Sequence, residues 1–176
     1  MLKTIFTVFL FSFITLCATA QKLESFTATL QPKDGANSYL SISHKKVYTP
    51  EEAKSNKAAT DLALVITNSN NRQVMEWYNL SGKDDKIPTE LRGTAVGISG
   101  LGFDKDQFEK CNTAQDLQRM AGYITNTSFA HYGSITDDLD AGVKYHCFLI
   151  LLENGKRAVL WLEAVDANNY KVTVKM

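Results

Sequence analysis

Two periodicities divide the chain. Residues 22–31 alternate with a period of two: Phe26, Ala28 and Leu30 against Ser25, Thr27 and Thr29, the pattern of a half-buried strand. After a turn at 32–37 (PKDGAN), residues 38–47 continue as a strand, with Leu40, Ile42 and His44 on one face and Ser41 and Ser43 on the other. Thr49-Pro50-Glu51-Glu52 is a helix start. Thr49 caps, Pro50 suits the first helical position and Glu52 closes a capping box, which predicts a short helix over 50–59. Residues 61–67 (DLALVIT) are apolar on both faces, as in a central strand, and a second strand is expected over 74–80 after the turn NSNNR. The stretch 81–102 reads as loop with one short turn of helix. Asp104 with Gln107 and Thr113 with Asp116 are capping pairs for helices over 105–110 and 114–124, the latter with Leu117, Met120, Ala121 and Ile124 on one apolar face.

The C-terminal third is the most regular. Residues 143–152 are apolar on both faces, Asn154-Gly155 predicts a type I′ hairpin, and 157–165 returns. After the turn DANN, Tyr170, Val172, Val174 and Met176 alternate with Lys171, Thr173 and Lys175, so the last strand has one wet face. The fold class this implies is α+β: an antiparallel sheet with a C-terminal three-strand meander and two or three short inserted helices.

The first twenty residues follow a different rule. Lys3 is followed by an apolar run from Ile5 to Cys17, and Ala18-Thr19-Ala20 offers the small residues of a cleavage site before Gln21. This is the pattern of a secretory signal peptide over 1–20, leaving a single globular domain over 21–176. The run is too short for a membrane-spanning helix, which needs about 20 apolar residues. Cys17 is preceded by Leu16 rather than the small residue a lipid-attachment site needs, which favours soluble export over lipid anchoring. The expected location is therefore periplasmic, surface-associated or extracellular, with no membrane span after cleavage. Export makes a disulfide between Cys111 and Cys147 thinkable; two buried free thiols are the equal alternative. The formal net charge is zero and no basic patch is long enough to suggest nucleic acid, Lys45-Lys46 being only a pair, so no nucleic-acid partner is expected.

Chemistry-bearing residues are sparse. His44, His131 and His146 have no ligand-like spacing, and no metal site is expected. His131 lies in the aromatic run Phe129-Ala130-His131-Tyr132; with Met120, Tyr123 and Tyr132 it is the candidate set for a flat cofactor, haem being the alternative to no cofactor at all. Ser99, in GISGLG, lacks the glycine two residues on that a nucleophile elbow requires, and Cys147 beside His146 points to the opposite strand face, so no catalytic residues are assigned. Asp104-Lys105-Asp106 and the acidic run 137–140 match no calcium loop. Trp77, Tyr78 and Tyr123 read as core before they read as a binding platform.

Several segments carry a resemblance. Tyr39-Leu40-Ser41-Ile42-Ser43, Lys46-Val47-Tyr48-Thr49-Pro50-Glu51-Glu52-Ala53 with Asp61-Leu62-Ala63-Leu64, Phe108-Glu109-Lys110 leading into Thr113-Ala114-Gln115-Asp116-Leu117, and the closing GKRAVLWL together resemble secreted β-rich domains of the Bacteroidota, distantly the HmuY-like haemophores. The likeness touches about half of the mature chain and its motifs are structural. It implies an extracytoplasmic all-β or α+β domain; the family's haem-ligand pair is not placed on residues of this chain. The resulting expectation is an exported, non-enzymatic binding or scaffolding domain whose partner is a small molecule or a cell-surface protein. The alternatives are haem or another flat hydrophobic ligand, and behind it a hydrolase.

Overall fold

The computed structural model describes residues 21–33, 38–69, 72–80, 89–94, 96–121 and 145–176. In chain order the elements are β1 (Ser25–Leu30), β2 (Tyr39–Ser41), β3 (Lys46–Tyr48), α1 (Pro50–Ser55), β4 (Leu62–Ser69), β5 (Arg72–Asn79), β6 (Val96–Leu101), α2 (Lys105–Lys110), α3 (Ala114–Ala121), β7 (Tyr145–Leu152), β8 (Arg157–Ala164) and β9 (Tyr170–Lys175). One-turn 3-10 segments follow α1 at Lys57–Ala59 and precede β6 at Thr89–Leu91.

All strand pairings are antiparallel. One sheet has the order β1-β9-β8-β7-β6, the other β3-β2-β4-β5. The α+β class and the β7-β8-β9 meander expected from the sequence are both present. The sheets face each other across one core. Leu40, Ile42, Leu62, Leu64, Met75 and Trp77 come from the small-sheet side, and Ile98, Phe148, Ile150, Leu160, Val172 and Val174 from the large one. Asn79 Nδ2 donates to the Val96 carbonyl at 2.8 Å and links the edge strand of one sheet to that of the other.

Both outer faces carry further apolar cover. α1 and the 3-10 segment at Thr89–Leu91 place Ala53 and Leu91 with Tyr39, Tyr48, Ala63 and Tyr78 of the small sheet. α2 and α3 place Phe108, Leu117 and Ala121 on Cys147, Leu149, Val159 and Trp161 of the large sheet. This four-layer stacking explains why β4 and β7 are apolar on both faces. Each successive side chain points to the opposite face, and each face meets another layer.

Four expectations change. Residues 38–47 form a tight hairpin, not one strand. Lys45 takes a left-handed φ of 55°, its N–H donates to the Ile42 carbonyl, and the His44 N–H donates to Ser41 Oγ. Residues 96–101, read as loop, are edge strand β6. Val96 and Ile98 enter the core, Gly100 ends the signal on their face, and Gly97 and Ser99 leave Leu101 as the apolar residue of the other. The β7–β8 turn is not type I′, since Gly155 has a positive φ (79°) and Asn154 does not. Gly155 N–H donates to the Leu152 carbonyl at 2.9 Å, the arrangement of a three-residue loop closed by a left-handed glycine. Finally, the last strand is not wet throughout on its lysine face, because Lys175 is buried beneath α2.

Candidate functional site

The helical layer over the large sheet holds the most chemistry among the described residues. α2 begins with a reciprocal cap: Gln107 N–H donates to Asp104 Oδ1 at 2.8 Å, and Asp104 N–H to Gln107 Oε1 at 3.0 Å. α3 begins the same way. Asp116 N–H donates to Thr113 Oγ1 at 3.1 Å, and Asp116 Oδ2 accepts from the Thr113 hydroxyl at 2.7 Å and from the N–H groups of Thr113 and Asn112. The Thr113 hydroxyl is the main reason that the Asp116 carboxyl is held below its usual range. Asp104 is thus a helix cap, as its spacing suggested.

The C-terminus of α2 is held from the sheet. Lys175 Nζ donates to the carbonyls of Phe108 (2.9 Å) and Glu109 (3.0 Å) and to Asn112 Oδ1 (3.2 Å), and lies 4.6 Å from the centre of the Phe108 ring. The last carbonyls of a short helix lack i+4 donors; here the Cys111 N–H and Asn112 Nδ2 each reach one, and this ammonium adds a charged donor to both. Burial pulls the Lys175 pKa down, opposed by Cys111 and Glu109.

Two clefts flank α3. The first, about 280 Å³, is lined by Phe103, Gln107, Lys110, Cys111, Asp116, Arg119 and Met120. Cys111 is buried while Phe103 and Met120 are partly covered, so the cleft has an apolar, sulfur-bearing lining. Its rim charges are internally paired, Lys110 with Asp106 and Arg119 with Asp116. The second, about 500 Å³, lies where residues 21–24, the start of α3, the β7–β8 turn and Met176 meet.

Cys111 and Cys147 are free thiols, both buried in the cluster under α2 and α3. Burial, and secondarily the proximity of Cys111, pushes the Cys147 thiol up to about 12; burial also raises Cys111. Thiols so placed keep their protons at neutral pH and are poor nucleophiles. His146 stacks on Phe148 with ring centres 6.0 Å apart, on the face of β7 opposite Cys147. His44 lies in the β2–β3 hairpin, with Nδ1 hydrogen-bonded to Tyr48 Oη. Ser99 sits within β6, paired in register with Leu149. None of the clefts described is lined by Ser99, Cys147 or a histidine.

Of the proposed cofactor set, Met120 lines the first cleft; Tyr123, His131 and Tyr132 lie outside the described residues, as do Ile124 and the acidic run at 137–140. Met120 therefore meets Cys111, a residue singled out for a different reason. Trp77 and Tyr78 are fully buried and form no platform; the Tyr78 hydroxyl donates to Glu76 Oε2 at 2.6 Å. Among the described residues, no group of three or more His, Cys, Asp or Glu is placed to hold a metal ion, and no helix is long and apolar enough to cross a membrane.

The sequence reading missed Asp61, buried at the edge of the core. It accepts from Ile42 N–H (2.8 Å) and the Thr94 hydroxyl (2.5 Å), and burial pushes its carboxyl above the usual range. It stitches the β2–β3 hairpin to the segment before β6. Its place directly before an apolar strand carries no sign of this. The sequence reading also missed the gathering of Lys22, Lys156 and Arg157 on the second cleft, since more than a hundred residues separate the first of them from the others.

No family model matches the chain, and no curated protein or solved structure matches it.

Proposed function

We propose that the chain is an exported, non-catalytic binding domain that takes a small, flat apolar ligand in the cleft between α2 and α3. The observation that carries this reading is the lining: the Phe103 ring, the Met120 thioether and the buried Cys111 thiol share one concave site of about 280 Å³. That volume is near the lower end of the about 300–1,000 Å³ usual for small-molecule sites. Thioether and aromatic groups are soft and polarisable and favour flat π-faces. With the rim charges already paired, the cleft offers dispersion and apolar contact rather than a charge to bind. The leader-like pattern over 1–20 and the resemblance to exported β-rich domains support the export part of the reading.

Fluorescence titration of the full chain with 1-aminoanthracene, a neutral flat probe, tests it. The expected result is saturable one-to-one binding weakened at least fivefold by Phe103→Ala and by Met120→Ala. Absence of saturation, or equal affinity in both variants, overturns it.

Haem is the larger relative of such a ligand, and Met120 is the observation that favours it. The fit is incomplete: the cleft supplies one thioether, is small for a macrocycle, and contains no imidazole among its described lining residues. Titration with haemin followed at the Soret band decides this second reading. A shift abolished by Met120→Ala and His131→Ala together supports it; a shift that survives both, or none at all, removes it.

A further inference from the structure

The second cleft differs from the first in its electrostatics. Its cavity of about 500 Å³ has an apolar lining from Leu23, Leu117 and Met176, and Lys22, Lys156 and Arg157 stand around it. Elsewhere on the described surface six cations are matched: Lys45 with Glu24, Lys46 with Glu52, Lys54 with Glu90, Lys105 with Glu163, Lys110 with Asp106 and Arg119 with Asp116; Lys33, Lys57 and Lys171 enter no ion pair either, but none of them lines this cleft. Lys22, Lys156 and Arg157 enter no such pair. Glu24 is the acidic side chain on the lining; Lys45 is its ion-pair partner and Lys156 acts on it more weakly, so the three cations outnumber it.

The walls are fixed by backbone bonds rather than by the charged groups themselves. Ala114 N–H donates to the Gln21 carbonyl at 2.9 Å, and Leu23 N–H to the Asn112 carbonyl at 2.8 Å. Glu24 and Met176 exchange two bonds of 2.8 and 2.9 Å, and Leu152 N–H donates to the Lys156 carbonyl at 2.8 Å across the β7–β8 turn. Three like charges are therefore brought to one apolar hollow in a protein whose net charge is zero. An anion placed there relieves their mutual repulsion, and the hollow takes an apolar body attached to it. The lysine stems extend that apolar surface while their ammonium groups stay at the rim.

We propose that this cleft is a second binding site, independent of the α2–α3 cleft, for a small amphipathic anion: one carboxylate or phosphate head bound by Lys22, Lys156 and Arg157, with its hydrocarbon body over Leu23, Leu117 and Met176. The Lys156 side chain, in the β7–β8 turn, and the Arg157 side chain, at the start of β8, are exposed, so their removal leaves the core intact.

The test is calorimetric titration of the full chain with dodecanoate, dodecyl phosphate and dodecanol. One of the two anions is expected to bind one-to-one at least tenfold more tightly than dodecanol, and which one binds more tightly identifies the head group. The double variant Lys156→Ala with Arg157→Ala is expected to weaken anion binding at least tenfold, and added salt to weaken it further. Met120→Ala, on the other cleft, is expected to leave it unchanged. Dodecanol binding as tightly as both anions, an unaltered affinity in the double variant, or an equal loss in Met120→Ala would each overturn the proposal.

Discussion

Replacing Lys175 with Met isolates the contact that holds the helical layer to the sheet. The substitution keeps most of the apolar stem and removes the ammonium that donates to the Phe108 and Glu109 carbonyls and to Asn112 Oδ1. A hydrogen bond to a charged group is worth about 1.5–3 kcal/mol, and two main-chain carbonyls lose this donor, the Phe108 carbonyl keeping the Cys111 N–H and the Glu109 carbonyl keeping Asn112 Nδ2. Asn112 is exposed and its side chain can turn to water. Against this, the variant no longer buries a cation, a cost visible in the lowered Lys175 pKa. The balance is a loss of about 2 kcal/mol. With a urea slope of about 2 kcal/mol/M, typical of a small domain, the midpoint falls by about 1 M. A second readout locates the damage. Cys111 caps the C-terminus of α2 and is buried. If that end opens more readily by the same free energy, native-state reaction of Cys111 with an aromatic disulfide reagent speeds up roughly 30-fold. Lys175→Arg, which keeps a cation, is expected to recover part of both effects. A midpoint within about 0.2 M of the parent with unchanged thiol labelling would show that the ammonium merely fills space, and the account of α2 would fail.

Two further perturbations probe the frame. Gly93→Ala would bring a Cβ to 2.0 Å from the Thr60 carbonyl oxygen and 2.9 Å from that of Lys57, so urea unfolding should show a loss at or above the upper end of the about 1–3 kcal/mol typical of overpacking. Gly102→Ala, with no atom within 4 Å of the new carbon, should stay within about 0.5 kcal/mol, and similar values for the two would refute the close approach. Asp61 and Asp116 should bend the pH–stability curve in opposite directions. Burial raises Asp61 above its reference value of 3.8, so the folded state holds that proton more tightly, stability falls as pH rises from 3.8 through the raised value, and Asp61→Asn should compare better with the parent at pH 7 than at pH 3. Asp116 is lowered chiefly by the Thr113 hydroxyl, so its contribution is present above 3.8 and lost as pH falls through the lowered value. Asp116→Asn should therefore trail the parent at pH 7 and converge with it in acid, whereas pH-independent gaps in urea midpoints would contradict both assignments.

Elements with strong periodicity or a cap were legible. α2 spans the residues its Asp104–Gln107 box predicted, and β1, β4, β5, β7, β8 and β9 lie where alternation or double-faced apolarity put them. The misses have specific causes. β6 was hidden because Gly100 cuts the core face short after Val96 and Ile98 and Gly97 blanks a position on the opposite face, leaving too brief a signal. The β2–β3 hairpin was hidden because Ile42 belongs to the core although it sits in the turn, so the alternation ran through the reversal unbroken. Lys175 read as solvated because alternation shows which face a residue takes but not what covers it.

The candidate sites follow from the same layering. With an apolar cluster on each outer face of the sandwich, the broad surfaces of the sheets are occupied by packing, and concavities arise at the seams where a short helix meets a strand end or a turn. Seams join residues remote in sequence: 21–24 with 114–118, 155–157 and 176 in one cleft, and 103–111 with 116–120 in the other. Met120 could be suspected from its chemistry, because a thioether on a helix stands out as a single residue. The three cations could not, because Lys22, Lys156 and Arg157 are ordinary surface residues until antiparallel pairing of β1 with β9, and of β9 with β8, carries them to one end of the large sheet. Binding chemistry in such a sandwich is thus a property of strand register: shifting β8 by one residue against β7 would send Arg157 to the other face and dissolve the cluster without changing its composition.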